Sequence, residues 1–250
     1  MSTFELITLI LLFFATSIVG VVTGSNSLVT VPVMFQFGID PRVAVATNMF
    51  GLTFMSIGAT IPFLRSGTIE RKTVTPLILI TVVASAIGAA LVSLIAPGGL
   101  KLIVSIAMIV VTVFTLLNRN AGVKKVEASS SRTALVYFLT FALGIYGGLY
   151  SGGYVTMLTA VFVGLFGMKF SESVAATKVI NVFSSAIATA VFMWQGLVDY
   201  RLGLILGASM FAGAYIGAHT VTKMSDVWLK RIFVIVVLAL ALKTILDFGF

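Results

Sequence analysis

The chain has 250 residues, of which 59% are hydrophobic and only 10% are charged, and its mean hydropathy is +1.16. A soluble domain carries about 25% charged residues, so the composition excludes an ordinary soluble protein. The net charge is +8, but the positive residues stand in loops beside apolar stretches, where they orient a membrane protein. We therefore predict the lipid bilayer as a partner and no nucleic acid. Cysteine is absent, which excludes disulfides and thiolate metal sites, and we predict no cofactor and no metal site.

The apolar stretches predict helices, because a helix needs about 20 apolar residues to cross a bilayer. The first stretch lacks the positive start of a signal peptide, so we expect it to be retained. Each half of the chain contains five segments, and the second segment of each half is too short for an ordinary span. We predict that these short segments are half-helices or limbs of re-entrant elements, and whether they cross or re-enter stays open. In chain order the segments are 4–23, 28–38, 43–64, 73–95, 100–118, 134–150, 154–168, 173–194, 201–221 and 228–247.

One sequence pattern occurs twice, about 129 residues apart. A duplicated half with a small, polar break near its start is typical of secondary transporters. Five short matches keep their order in the two halves. They pair Gly20 to Asn26 with Gly148 to Tyr154, Ala46 to Asn48 with Ala176 to Lys178, Gly67 to Glu70 with Gly196 to Asp199, Gly88-Ala89 with Gly217-Ala218, and Leu100-Lys101 with Leu229-Lys230.

The charged loops predict the orientation and the domain organisation. The loops at 65–72, 118–133 and 222–231 are rich in Lys and Arg, and the positive-inside rule makes them cytoplasmic. Both termini then lie outside, and each half has an odd number of crossings, which inverts the second half relative to the first. We predict an all-α polytopic membrane bundle of about 8–10 segments with two inverted-topology repeats. The repeats are 1–118 and 134–250, and 119–133 is the cytoplasmic linker.

Each half carries a break in its apolar sequence. The first is Thr23-Gly24-Ser25-Asn26-Ser27, followed by Pro32, and the second includes Ser151-Gly152-Gly153-Tyr154. A helix that stops and restarts offers backbone N–H groups and the positive end of its dipole to a substrate. Close helix packing at small residues is the alternative interpretation, and the presence of two equivalent breaks favours a binding site.

The third segment of each half carries polar side chains at membrane depth. Asn48 lies in the first half, and Lys178 lies in the second, with Asn181 about one turn further along. Ionisable residues inside a membrane are costly and by default functional. The alternative is that Lys178 extends its ammonium group to the membrane surface.

The carboxylates all fall at segment ends or in loops. A cation carrier would normally bury at least one of them, whereas helix N-termini, hydroxyls, amides and a lysine suit an anion. We therefore predict a small anionic substrate. With a single histidine, His219, and no buried acid, a catalytic site is hard to build. We predict no catalytic residues and no enzyme activity.

These features resemble the sulfite exporter TauE/SafE family of membrane permeases. The resemblance covers roughly residues 8–248, and the family usually has a longer glycine run where this chain has Gly24 to Ser27. It implies a helical transporter of the bacterial inner membrane, which moves small sulfur-containing or carboxylate anions and mostly exports them. The resemblance rests on Gly20 to Pro32, Gly38, Ala46-Thr47, Gly67 to Ile69 and the repeat of the unit.

We predict a secondary transporter of small anions that works by alternating access, with its substrate near the membrane midplane between the two breaks. An anion channel and a non-transporting assembly or scaffold protein are the alternatives. The sequence carries no signal for an oligomeric state. The predicted substrate-binding residues are Thr23, Gly24, Ser25, Asn26, Ser27, Asn48, Ser151, Gly152, Gly153, Tyr154, Lys178 and Asn181.

Overall fold

A computed structural model describes residues 2–24, 26–69, 71–100 and 130–225, with isolated positions in 102–106 and 227–235. Throughout these ranges the regular structure is α-helical, as predicted. The helices are α1 (Thr3–Thr23), α2 (Ser27–Gln36), α3 (Pro41–Arg65), α4 (Arg71–Val92), α5 (Ser130–Leu149), α6 (Tyr154–Gly164), α7 (Phe170–Trp194) and α8 (Tyr200–Val221).

Each of these eight helices corresponds to one predicted segment, with ends that differ by a few residues. The largest differences are at α5, which begins at Ser130 inside the predicted linker, and at α6, which ends at Gly164. Most residues of the predicted segments 100–118 and 228–247 and of the linker lie outside the described residues.

Six of the described helices, α1, α3, α4, α5, α7 and α8, are long and apolar enough to cross a membrane. The other two are short, with 10 residues in α2 and 11 in α6. At a rise of 1.5 Å per residue they reach about 15 Å, half the thickness of a bilayer core of about 30 Å. The prediction of a half-length second helix in each half is therefore confirmed.

The described carboxylates lie at helix N-termini, where they accept backbone hydrogen bonds and interact favourably with the helix dipole. Asp40 accepts from Arg42 N–H at 2.9 Å, and Asp199 accepts from Leu202 N–H at 3.0 Å. Two more carboxylates, of Glu5 and Glu172, bond to the backbone at the starts of α1 and α7. These four therefore lie at helix ends, as predicted, and Glu70, Glu127, Asp226 and Asp247 fall outside the described residues.

The repeat is visible in the backbone conformation. In the described part of the chain, every residue with positive φ is a glycine, and these glycines form three pairs about 129 positions apart. The sequence repeat aligns Gly24 with Gly152. The backbone conformation instead pairs Gly24 with Gly153, which shifts the alignment of the two breaks by one residue. The pairs are Gly24 (φ 67°) with Gly153 (φ 78°), Gly38 (φ 75°) with Gly167 (φ 73°), and Gly67 (φ 69°) with Gly196 (φ 69°).

The first helix of each half packs against the fourth helix of the other half. Gly217 of α8 faces the carbonyl of Ile18 in α1, and Gly88 of α4 faces the carbonyl of Ile145 in α5. In both places a methyl group on the glycine would overlap the carbonyl oxygen. Gly88 and Gly217 are one of the sequence-repeat pairs, so the repeat marks two equivalent close helix contacts between the halves.

Contacts along the first-half helices give their relative directions. α1 and α3 both run parallel to α8, so α1 and α3 run the same way. The segment that contains α2 therefore carries the chain back along the bundle, from the end of α1 to the start of α3. The contacts are Ile10 with Ser209 and Ile18 with Gly217 for α1, and Phe50 with Gly203 and Phe54 with Gly207 for α3.

The two long central helices, α3 and α7, run antiparallel. Thr53 Oγ1 of α3 lies 3.3 Å from Thr189 Oγ1, whereas Ser56 further along α3 accepts a hydrogen bond from Asn181, which is earlier in α7. Since α3 and α7 occupy the same place in the two halves, opposite directions are what an inverted repeat requires. The inverted repeat stays a prediction that these directions support.

Candidate functional site

The break between α1 and α2 lies directly against the break between α5 and α6. Ser27 Oγ and Ser151 Oγ are 2.7 Å apart, and Tyr150 OH donates to the carbonyl of Ser27 at 2.9 Å. Thr156 Oγ1 donates to the carbonyl of Thr23 at 2.6 Å. All five residues are buried. The fold therefore brings together two polar breaks that are about half the chain apart, one from each repeat.

Gly24 is required at the first break for two physical reasons. Its φ of 67° lies in the left-handed region, which costs about 1–2 kcal/mol for a residue with a side chain. A Cβ at this position would also lie 2.6 Å from Val155 Cβ and 2.9 Å from Thr156 N. The absence of a side chain on Gly24 thus allows the second break to approach the first.

The short helices present uncapped N-termini at the breaks. Neither α2, which follows Asn26, nor α6, which follows Gly153, has a side-chain hydrogen bond at its N-cap. The positive ends of two helix dipoles are therefore directed at this region. The C-terminal end of α1 lies here as well, where the carbonyl of Gly20 accepts from Gly24 N–H at 2.9 Å.

Lys178 is buried inside α7, with 2% of its surface exposed. Its Nζ donates a hydrogen bond to the carbonyl oxygen of Gly20 at 2.8 Å. The alternative interpretation, in which this lysine reaches the membrane surface, is therefore wrong. The ammonium group is favoured by the negative end of the α1 dipole. Among the described residues the single ion pair joins Lys169 and Glu172 at the start of α7, so no described carboxylate neutralises Lys178.

The predicted amides are placed by the long central helices. Asn48 of α3 donates to Ser27 Oγ at 2.8 Å, and its Oδ1 accepts from Thr30 Oγ1 at 2.8 Å. Asn181 of α7 donates to Ser56 Oγ at 2.7 Å. Asn48 therefore fixes the hydroxyl at the first break, and Asn181 lies one helical turn from Lys178.

A small cavity lies between the breaks and the two central helices. Of the predicted substrate-binding residues, six line it, and Asn48 is joined to it through Ser27. Gly20, Leu52, Met55 and Val155 also line it and were not predicted. The six predicted lining residues are Gly24, Asn26, Ser27, Ser151, Lys178 and Asn181.

The remaining predicted residues have other positions. The carbonyl of Thr23 accepts a hydrogen bond from Thr156 Oγ1, and the carbonyl of Gly152 accepts one from the Tyr146 hydroxyl. Gly153 forms the left-handed turn before α6. The ring of Tyr154 packs in an apolar cluster with Leu77, Val136 and Leu158. Ser25 lies outside the described residues.

The volume of the cavity is about 10 Å³, counted as space for the centre of a water-sized sphere. This is room for about one water molecule. The cavity is therefore too small for a multi-atom solute, and we call this arrangement of the breaks the closed conformation. The described residues of the cavity lining offer hydroxyl and amide groups and one ammonium group, and none of them is a carboxylate.

Six of the described helices are long and apolar enough to cross a membrane, as in a polytopic membrane protein, and a small buried cavity lies between the two breaks. The chain matches the family model described as "Sulfite exporter TauE/SafE" over residues 9–244. It therefore belongs to the TauE/SafE sulfite exporter family, as the sequence motifs predicted, and is a membrane transporter.

Curated relatives agree with this assignment. The "Probable membrane transporter protein ORF9" of Sinorhizobium sp is 30% identical over 241 residues, which cover 94% of this chain and 92% of the relative. The "Probable membrane transporter protein YfcA" of Escherichia coli (strain K12) is 27% identical over 245 residues, which cover 94% of this chain and 89% of the relative. No solved structure matches the chain. The names of these relatives are consistent with the prediction that the chain is not an enzyme.

Proposed function

We propose that this protein exports small sulfur-containing anions, such as sulfite or a sulfonate, across the bacterial inner membrane by alternating access. The observation that carries the proposal is the buried ammonium group of Lys178, which borders a cavity between two helix breaks whose described lining has no carboxylate. The family description supplies the sulfur chemistry.

The chemistry of the cavity supports an oxyanion. The oxygens of a sulfo group accept hydrogen bonds, and the cavity presents donors in the ammonium group of Lys178 and the hydroxyls of Ser27 and Ser151. In the closed conformation Lys178 donates to a neutral carbonyl, that of Gly20. The attraction between two opposite charges is stronger than that between a charge and a neutral carbonyl, so an oxyanion would displace the carbonyl. A cation, by contrast, would be repelled by Lys178.

The position of the site between the halves supports alternating access. Ser27 comes from the first half, and Ser151 and Lys178 come from the second. Rocking one half against the other would separate these groups and widen the cavity toward one side of the membrane. An inside-negative potential favours outward movement of an anion by about 2.3 kcal/mol per charge per 100 mV, which supports export.

Transport by purified protein in liposomes tests the proposal. We expect saturable flux of radiolabelled sulfite that increases when the sulfite-loaded compartment is made electrically negative. Empty liposomes and liposomes with Lys178→Met provide the controls. Absence of flux for sulfite, thiosulfate, sulfoacetate and taurine would contradict the proposal, and large unitary currents in planar bilayers would favour an anion channel instead.

A further inference from the structure

Asn26 brings a buried hydrogen-bond acceptor without a partner to the cavity. Its side chain is 4% exposed and lines the cavity. The amide nitrogen is used, because Nδ2 lies 3.2 Å from both Ser17 Oγ and Met55 Sδ. The amide oxygen, Oδ1, has no hydrogen-bond partner among the described residues. A buried acceptor without a donor destabilises the folded protein, so we expect a ligand or a water molecule to donate a hydrogen bond to Asn26 Oδ1.

The orientation of this amide follows from the chemistry of its neighbours. Met55 Sδ is a thioether sulfur, which accepts a hydrogen bond weakly and cannot donate one. The amide nitrogen of Asn26 must therefore face Met55, and Ser17 accepts from the same nitrogen. The carbonyl oxygen is left as the group of Asn26 without a partner among the described residues.

Asn26 and Lys178 both lie close to Gly20, and both line the cavity. A Cβ on Gly20 would lie 3.2 Å from Asn26 Cβ, and Lys178 Nζ is 2.8 Å from the Gly20 carbonyl oxygen. The absence of a side chain on Gly20 therefore allows Asn26 to pack closely against α1.

These two groups occur once in the protein and are not repeated in the other half. The pairing of left-handed glycines aligns Asn26 with Val155 and Lys178 with Met49, both apolar. The duplicated fold therefore contains one asymmetric polar site, whose described lining includes Lys178 and the unpartnered acceptor of Asn26.

We propose that the transported anion carries a single negative charge and a hydrogen-bond donor of its own. Lys178 pairs with the charged oxygens, and Asn26 Oδ1 accepts from the donor. Hydrogen sulfite and the hydroxyalkanesulfonates belong to this class. A dianion such as sulfate would leave one charge without a counter-ion and place an oxygen against Asn26 Oδ1, which is unfavourable in a buried site. This inference rests on the proposed function and narrows its substrate class.

Two pairs of matched anions test the inference with the purified full-length protein at one pH. Hydrogen carbonate and nitrate are planar monoanions of equal size, and only the first has a donor. In the same way, 2-hydroxyethanesulfonate and 1-propanesulfonate differ by a hydroxyl in place of a methyl group. We expect calorimetry to show about tenfold tighter binding of the donor-bearing anion in at least one pair, the effect of one hydrogen bond to a buried acceptor.

Two variants test whether the preference for donor-bearing anions depends on Asn26 Oδ1. Asn26→Leu keeps a similar side-chain volume and removes the acceptor, so we expect the preference to disappear through weaker binding of the donor-bearing anion. Ser17→Ala is the control, because it removes one partner of the amide nitrogen while Met55 still orients the amide. We expect Ser17→Ala to retain the preference.

The outcomes separate this inference from the proposed function. Equal affinities within both pairs, a preference that survives in Asn26→Leu, or binding of sulfite without either donor-bearing anion would overturn the inference. Asn26 Oδ1 would then be satisfied by a water molecule, and the anion site would stand. Absence of binding by every anion, sulfite included, would overturn both.

Discussion

Ser27 Oγ in the first half and Ser151 Oγ in the second half lie 2.7 Å apart, and this hydrogen bond joins the two helix breaks. Both hydroxyls line the cavity beside Lys178. Asn48 also donates a hydrogen bond to Ser27 Oγ, which fixes the position of this hydroxyl oxygen. A substrate that enters between the breaks must replace the bond between the two serines with bonds to itself.

The two serines are therefore expected to contribute jointly to anion affinity. Ser27→Ala and Ser151→Ala each remove one hydroxyl donor, and we expect each to weaken sulfite binding by several-fold, since a hydrogen bond contributes about 1 kcal/mol. The double variant should depart from the sum of the single effects, because the residues touch. Calorimetry on all three variants makes the measurement. Sulfite affinities unchanged by any of the variants would exclude the serines from the site.

Gly24→Ala is expected to abolish transport and to lower the thermal unfolding midpoint. The new methyl group would lie 2.6 Å from Val155 and 2.9 Å from the backbone nitrogen of Thr156, in addition to the strain of positive φ. Overpacking of this kind costs about 1–3 kcal/mol.

Gly67→Ala is the matched control for Gly24. Gly67 has nearly the same φ, 69°, but a Cβ there has no neighbour within 4 Å. This variant should show the backbone strain alone, with a smaller loss of stability and transport retained. An equal loss of stability and transport in both variants would show that the approach of the second break is not what requires Gly24.

The close contacts of Gly88 and Gly217 with the first helix of the other half predict that a side chain at either position lowers stability. Gly88→Ala and Gly217→Ala both place a methyl group against a helix carbonyl across the boundary between the halves. We expect both to lower the unfolding midpoint measured in detergent. Gly164→Ala, where a Cβ meets nothing within 4 Å, should leave it nearly unchanged. Tolerance of both substitutions would contradict the close packing of the halves.

The sequence predicted the helices and breaks well because both have strong local signals. Apolar stretches near 20 residues define spans, and Gly24 to Ser27 interrupts one of them with small polar residues that disfavour a continuous helix. The depth of Lys178 followed from its place within a predicted segment. The partner of Lys178 did not, because the backbone carbonyl of Gly20 carries no signature in a sequence.

Other features of the site depend on tertiary packing. Met55 lines the cavity and orients Asn26, but a methionine in an apolar helix gives no polar signal. Tyr154 was predicted for the site, and its ring instead packs beside Gly147 in an apolar cluster. The sequence alignment of the two breaks pairs Gly24 with Gly152, because both are glycines. The backbone conformation instead pairs Gly24 with Gly153.

Anion-dependent thermal stabilisation of Lys178→Met is the most direct test of the central claim, that an anion binds against Lys178 between the breaks. The methionine removes the charge at similar volume, and Met49 is already the corresponding residue of the first half. Replacing a buried charge with an apolar group need not destabilise a protein, so the variant without anion should unfold at the wild-type midpoint or above it.

Sulfite is expected to raise the unfolding midpoint of the wild-type protein, since a ligand that binds the folded state stabilises it by mass action. The same concentration should leave the midpoint of folded Lys178→Met unchanged. An equal rise in the two proteins would contradict an anion site at Lys178.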